Sequence, residues 1–144
     1  MTVRRMIPED IPRAAELEKM CFSRPWTEEM LAESLALPAY RFFVCEKEGQ
    51  VLGYAGMFLV LDEGNIANIA VFPEARRQGI GKALLAALTE EGRKEGLSQL
   101  FLEVREHNLP AIALYEKSGF TEAGFRKDYY QDPEEGARIY RLDL

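Results

Sequence analysis

From Ile80 to Glu95 the positions Gly81, Leu84, Leu85, Leu88 and Gly92 recur every three or four residues, with Lys82, Glu90, Arg93 and Lys94 falling elsewhere. That spacing predicts an amphipathic helix with one buried face, and Gly96 stands where a glycine ends a helix. Other segments read as strands. Tyr40 to Lys47 is rich in aromatic residues and valine, Val51 to Asp62 follows a Gly49-Gln50 turn, and Asn65 to Phe72 runs up to the breaker Pro73. Gln99 to Val104 is a short apolar run, and Phe120 to Tyr130 and Arg138 to Leu142 close the chain, joined through Asp132-Pro133 and Gly136. Near the start, Met1 to Met6 reads as a strand. Pro8, Glu9 and Asp10 open a helix through about Phe22, with the acids at its positive end. Thr27 is placed to cap a second helix to about Leu37, and Asn108 a last one from Leu109 to Ser118, with Pro110 in its first turn.

The predicted order is β-α-α-β-β-β-α-β-α-β-β. Hairpin-linked strands followed by a βαβ unit argue an α/β (α+β) fold: one mixed, mostly antiparallel sheet of about seven strands, flanked by four helices on both faces. A chain of 144 residues fits one domain, residues 1–144, by the usual range of roughly 100–200. No repeat, linker or composition break divides it.

Charge narrows the partners. The net charge of −6 disfavours nucleic acid, whose binding rests on Lys and Arg neutralising phosphates, and suits a basic peptide better. Cys21 and Cys45 belong to no CxxC pattern, and the one histidine, His107, leaves no Cys/His cluster for zinc. Both cysteines read as reduced, buried thiols and no metal is expected. The N-terminus carries no signal-like apolar run and no stretch is long enough to span a membrane, so the expected compartment is the cytoplasm.

Arg76-Arg77-Gln78-Gly79-Ile80-Gly81-Lys82 joins a predicted strand to a predicted helix. A helix start offers free backbone N–H groups and the positive end of the dipole, and glycines admit a close ligand. Arg76, Arg77 and Lys82 add fixed positive charge, which points to a phosphate-bearing ligand. Walker A fails, because Arg76 replaces its first glycine and Ala83 its hydroxyl residue; the dinucleotide fingerprint fails at Leu84. What remains is Arg-x-x-Gly-x-Gly, which resembles the pyrophosphate loop of the GNAT superfamily of N-acetyltransferases, where coenzyme A is the ligand. The preceding Asn68-Ile69-Ala70-Val71 and Pro73 match as well. The resemblance implies a sheet splayed between its fourth and fifth strands, acetyl-CoA as co-substrate, and backbone contacts from Ile69, Ala70 and Val71 to the pantetheine arm. Loop contacts from Arg76, Arg77, Gln78, Gly79, Ile80, Gly81 and Lys82 would hold the pyrophosphate.

Leu102-Glu103-Val104-Arg105 with Asn108, followed by Ala113-Leu114-Tyr115-Glu116 and Gly119-Phe120, is more specific. These segments, with Cys21-Phe22 and Pro25-Trp26, resemble the RimI-like subfamily, whose acceptor is the N-terminal alanine of a small-subunit ribosomal protein. The resemblance implies Glu103 as the base that takes the amine proton, directly or through water, and Tyr115 as the acid facing the leaving thiolate. It implies Asn108 as a cofactor ligand, besides its capping role, and a backbone N–H such as that of Val71 as a stabiliser of the carbonyl oxygen. His107 is not favoured as base, since the motif treats its position as variable. Trp26 reads either as a loop plug or as a wall of the acceptor site.

The amine itself bears on the acceptor. Deprotonating an α-amine at pH 7 costs about 1 kcal/mol and a lysine about 4.6 kcal/mol, so an N-terminus needs the lighter machinery. Glu63, Glu106, Asp128 and Glu134 are candidates for an acidic field around a basic N-terminal peptide. Where the subfamily usually carries an aspartate turn before its last strand, this chain has Glu135-Gly136-Ala137-Arg138-Ile139-Tyr140, a departure near the expected acceptor groove. Two alternatives stand beside the N-terminal acetyltransferase: a lysine or small-amine acetyltransferase of the same fold, and a non-catalytic acyl-CoA sensor.

Overall fold

The computed structural model describes residues 1–144. Its strands are β1 Thr2–Arg5, β2 Tyr40–Lys47, β3 Gln50–Val60, β4 Glu63–Val71, β5 Gln99–Arg105, β6 Thr121–Tyr130 and β7 Glu135–Asp143. Its helices are α1 Ile11–Cys21, α2 Glu28–Leu35, α3 Ile80–Lys94 and α4 Leu109–Lys117, with single 3-10 turns at Pro8–Asp10 and Pro73–Ala75. The order agrees with the pattern of apolar positions. The seven strands form one sheet in the order β1-β2-β3-β4-β5-β7-β6, antiparallel throughout except between β4 and β5.

Two neighbouring residues of β3 show how the sheet is covered. A Cβ on Gly53 would meet Ile80 Cγ2 of α3 at 2.8 Å, whereas the next residue, Tyr54, hydrogen-bonds Glu18 of α1. Successive strand residues point to opposite faces, so α1 and α3 lie on opposite sides of the sheet. Leu84, Leu85 and Leu88, the face read from the sequence, are fully buried beneath α3. Thr27 Oγ1 accepts from Met30 N at 3.2 Å and Asn108 Oδ1 from Ala111 N at 3.3 Å, the two caps expected from the sequence.

Some boundaries differ. The β2–β3 turn is Glu48-Gly49, both at positive φ, so Gln50 already belongs to β3. β4 begins at Glu63 rather than Asn65, because the β3–β4 turn, with Leu61 at φ 55, falls at Leu61-Asp62, two residues sooner than expected. Gly136 is not a turn residue. It lies in β7 beneath the ring of Phe125, where a Cβ would come within 2.3 Å. Cys45 is buried, but Cys21 is only partly so, because it ends α1 at the rim of the cavity described below.

The seam that makes room for a ligand is in the sheet itself. β4 and β5 are in register from Glu63↔Gln99 to Ile66↔Leu102, and then part. At the point of parting the β3–β4 ladder skips Ala67, passing from Met57↔Ile66 to Gly56↔Asn68. A bulge of this kind bends the strand that carries it. β5 meanwhile stays paired with β7 through Arg105↔Ala137.

Candidate active site

Beyond the parting of β4 and β5 lies a cavity of about 500 Å³. Ile66 to Ile69 line one side and Leu102 to Arg105 the other, with Asn108, Ala111 and Tyr115 of α4 at one end. The α1–α2 loop contributes Phe22, Ser23, Arg24 and Trp26, the end of β6 contributes Tyr129 and Tyr130, and the β6–β7 turn contributes Gln131. The cavity thus has two open flanks that belong to different loops.

Glu103, opposite Ile139 on β5, is exposed and lines this space. Tyr115 is buried on α4, with its ring 6.2 Å from Phe120 and 6.5 Å from Tyr140, centroid to centroid. Burial pushes its hydroxyl up to about 12, so it keeps its proton at neutral pH. Tyr130 is raised further, first by burial and then by the negative charge of Glu103. Both side chains line the cavity. Asn108 lines the cavity while capping α4, so both roles read from the sequence are compatible.

The loop before α3 leaves the helix start bare. Gly79 takes φ 81 at the N-cap of α3, with no side chain capping the helix, and Arg77 takes φ 64. The first-turn N–H groups of Ile80, Gly81 and Lys82 therefore have no intrahelical partner. Arg76, Arg77, Gln78, Gly79 and Lys82 are exposed. Ile80 is different: its side chain is 2% exposed and packs in the core, so only its backbone is available to a ligand. Arg76 is held in place by Val71 O at 3.3 Å and by Cys21 Sγ at 3.6 Å.

The β4 backbone can be followed through hydrogen-bond parity. Phe72 N donates to Leu52 O at 2.9 Å, which makes Phe72–Leu52 a bonded pair. Alternation in an antiparallel ladder then turns the peptide groups of Val71 and Ile69 away from β3, towards the side from which β5 has diverged. Val71 O accordingly accepts from Cys21 Sγ at 3.4 Å rather than from the sheet. Ala70 is buried and paired with Tyr54, so its own peptide group faces β3.

Several site residues carried no role in the sequence reading. Glu18, 1% exposed, accepts from Trp26 N at 2.8 Å, from Asn68 Nδ2 at 2.7 Å and from the Tyr54 hydroxyl. Its partners lie 8, 50 and 36 residues away, so nothing local could have announced them. Arg105 donates to Gln131 O and Pro133 O, each at 2.8 Å, pairs with Glu135 at 3.2 Å and lies over the Tyr130 ring at 4.6 Å. It therefore ties the β6–β7 turn to the cavity wall. The motif Leu102–Arg105 had contained it, but with no partner in sight. Trp26 meets Tyr40 and Phe42 edge-on while lining the cavity.

Other expectations are corrected. Glu63 opens β4 at its paired end, three residues or roughly 10 Å from Ile66, the first residue of that strand to line the cavity. Asp128 and Glu134 do flank it, forming a small acidic pocket with Asp132 beside Gln131. Tyr140 turns away from the groove: it is fully buried, and its hydroxyl donates to Glu116 at 2.9 Å. His107 is 79% exposed and rests on Glu135 at 3.2 Å, outside the cavity wall. No group of three or more His, Cys, Asp or Glu residues is arranged to hold a metal ion, and no helix is long and apolar enough to cross a membrane.

Known proteins share this fold. The [ribosomal protein bS18]-alanine N-acetyltransferase of Escherichia coli K12 is 39% identical over 145 residues, covering 99% of this chain and 97% of its own. The enzyme of that name from Haemophilus influenzae is 37% identical over 127 residues, covering 88% and 86%. The crystal structure of the E. coli ribosomal-protein-S18-alanine N-acetyltransferase superposes with a TM-score of 0.90 at 39% identity, covering 99% of this chain and 93% of that one. Ard1 from Thermoplasma volcanium superposes at 0.91 with 26% identity, covering 99% and 97%. The acetyltransferase (GNAT) family profile matches residues 11–120. With the parted sheet and the bare helix start already in place, these matches settle the membership: the chain is an N-acetyltransferase of the GNAT family, and its near relatives are the RimI-type enzymes.

Proposed function

We propose that this enzyme acetylates the N-terminal α-amine, an alanine first of all, of a small-subunit ribosomal protein, with acetyl-CoA as donor. The observation that carries the reading is the cavity at the β4–β5 parting, with an exposed carboxylate, Glu103, and a buried, protonated phenol, Tyr115, on its walls. The relatives named for bS18 alanine acetylation support the choice of acceptor.

The chain's residues suit the donor. The N–H groups at the start of α3, with Arg76, Arg77 and Lys82 beside them, would take the pyrophosphate. The outward peptide groups of Ile69 and Val71 would pair with an amide-bearing arm as a sheet neighbour does, and Asn108 would add a side-chain contact. When bound, the thioester supplies an acyl carbon open to direct attack.

Glu103 takes the proton as the amine nitrogen bonds to that carbon and the carbon–sulfur bond breaks. The Val71 N–H faces the oxygen on which negative charge gathers. Tyr115 faces the departing sulfur. A free thiolate of this kind has a pKa near 8.5, well below the value of about 12 held by Tyr115. The hydroxyl therefore acts chiefly by donating a hydrogen bond as charge builds on sulfur, and full proton transfer follows with solvent. The α1–α2 loop and the acidic β6–β7 turn would receive a basic peptide.

Two peptides test the reading, with thiol release as the readout. One begins Ala-Arg with a free amine; the other has a blocked N-terminus and an internal lysine. Turnover of the first alone is expected, with Glu103→Gln lowering kcat by about 10²–10⁴. Turnover of the second alone would overturn the acceptor assignment. Silence on both while coenzyme A still binds would instead favour a sensor.

A further inference from the structure

Asn68 Oδ1 is buried and has no hydrogen-bond partner. Buried amide oxygens without partners are rare in folded proteins, and each calls for an explanation, a role in catalysis among them. Asn68 lines the cavity at the β4–β5 parting, and the residue as a whole is 6% exposed.

The orientation of this amide is imposed. Its Nδ2 donates to Glu18 Oε2 at 2.7 Å, and the same carboxylate takes the Trp26 N–H and the Tyr54 hydroxyl. A carboxylate with three donors is an acceptor only, so the NH2 end of Asn68 must face it and the oxygen must face away. Asn68 shares a sheet face with Tyr54, since Tyr54↔Ala70 and Gly56↔Asn68 are register partners two residues apart. That is the face of α1 and of the loop carrying Trp26.

We propose that Asn68 Oδ1 is a binding group for the acceptor amine and that Glu18 is the positioning residue that aims it. The inference rests on the acetyl-transfer reading above. At the reacting end of a thioester there are only acceptors, the carbonyl oxygen and the sulfur. The N–H donors arriving there belong to the amine. A neutral primary amine has two N–H bonds and one lone pair. With Asn68 Oδ1 taking one N–H and Glu103, directly or through water, taking the other, the lone pair is left to face the acyl carbon. Glu18 would thus couple the loop that receives the peptide with the strand that holds the thioester.

The test uses the full chain, the Ala-Arg peptide and separate KM values for peptide and acetyl-CoA. Asn68→Leu removes the acceptor. Glu18→Gln leaves one acceptor oxygen for the three donors of Asn68, Tyr54 and Trp26, so the amide of Asn68 is no longer fixed with its oxygen towards the amine. Each is expected to raise the peptide KM by on the order of ten-fold, the scale of one hydrogen bond to a polar or charged group, with the acetyl-CoA KM changed less than about two-fold. The double variant E18Q/N68D exchanges amide and carboxylate and keeps an oxygen towards the amine. It is expected to recover most of the loss, which a merely structural role would not predict. Unchanged peptide KM in the single variants overturns the proposal. So does a joint rise of both KM values with a fallen melting temperature, or a double variant no better than its parents. If the wild-type chain acetylates only the lysine peptide, the α-amine reading falls, and the same KM comparison on that peptide still decides the role of Asn68. No turnover on either peptide overturns both.

Discussion

At the scale of single residues, Tyr115 carries the sharpest pH consequence. Burial raises its pKa to about 12, so the sign is that of an acid kept in its neutral form: the donor is intact below that value and lost only as pH climbs through it. The peptide α-amine, by contrast, frees its lone pair near 7.7–8.0. We expect kcat/KM to rise with pH through that region and then to stay level to about pH 10, without a fall caused by Tyr115. A rate profile with a descending limb near 9 would show that another group supplies the hydrogen bond to sulfur. Tyr115→Phe should lower kcat by about 10²–10³, the usual cost of one preorganised donor, with coenzyme A binding retained. Glu103 and Tyr115, which both line the cavity, were legible in the sequence as candidates because they stand in compact motifs. Glu18, Asn68 and Arg105 were not, because their meaning comes from partners that only the fold supplies. A glutamate on an amphipathic helix reads as solvated surface until Tyr54 and Asn68 close over it.

At the scale of elements, the start of α3 is built from two glycines with different duties. Gly79 is in the left-handed region, and a Cβ there would meet nothing within 4 Å. Gly53, across on β3, has ordinary backbone angles, but its Cβ would press on Ile80 Cγ2 at 2.8 Å and on Ala70 O at 3.0 Å. Gly79→Ala should therefore cost about 1–2 kcal/mol through backbone strain alone. Gly53→Ala should cost about 1–3 kcal/mol through overpacking, and because Ala70 O is backbone the strain reaches β4. Urea denaturation of the two variants measures both. Only the first glycine was legible, through its place in Arg-x-x-Gly-x-Gly; the second is a tertiary fact about how closely α3 approaches the sheet. The element boundaries show the same division. The third and fourth helices were placed to within a residue, whereas α2 stops two residues short of Leu37 and the expected first turn of α1 is a 3-10 turn. Gly136, read as a turn, belongs to a strand because Phe125 requires a residue without a side chain beneath it.

At the scale of the whole molecule, the sheet is a continuous seven-strand surface with one opening. The alternation of apolar positions foretold the strands and the family pattern foretold the parting, but the skipped residue, Ala67, could be found only from the register. That opening leaves an edge in the middle of a sheet. Edges are ordinarily kept to the outside and guarded against pairing with other chains; here the inner edge of β4 is sheltered by walls that admit only a slender guest. The amides of Ile69 and Val71 should consequently trade hydrogen with solvent far faster than that of Ala70 between them, which pairs with Tyr54. Coenzyme A should slow the outer two and leave the middle one as it was. In hydrogen-exchange terms β4 is two strands in one, half permanent member of the sheet and half a vacancy in its ladder, so that the ligand completes the protein's own secondary structure as it binds.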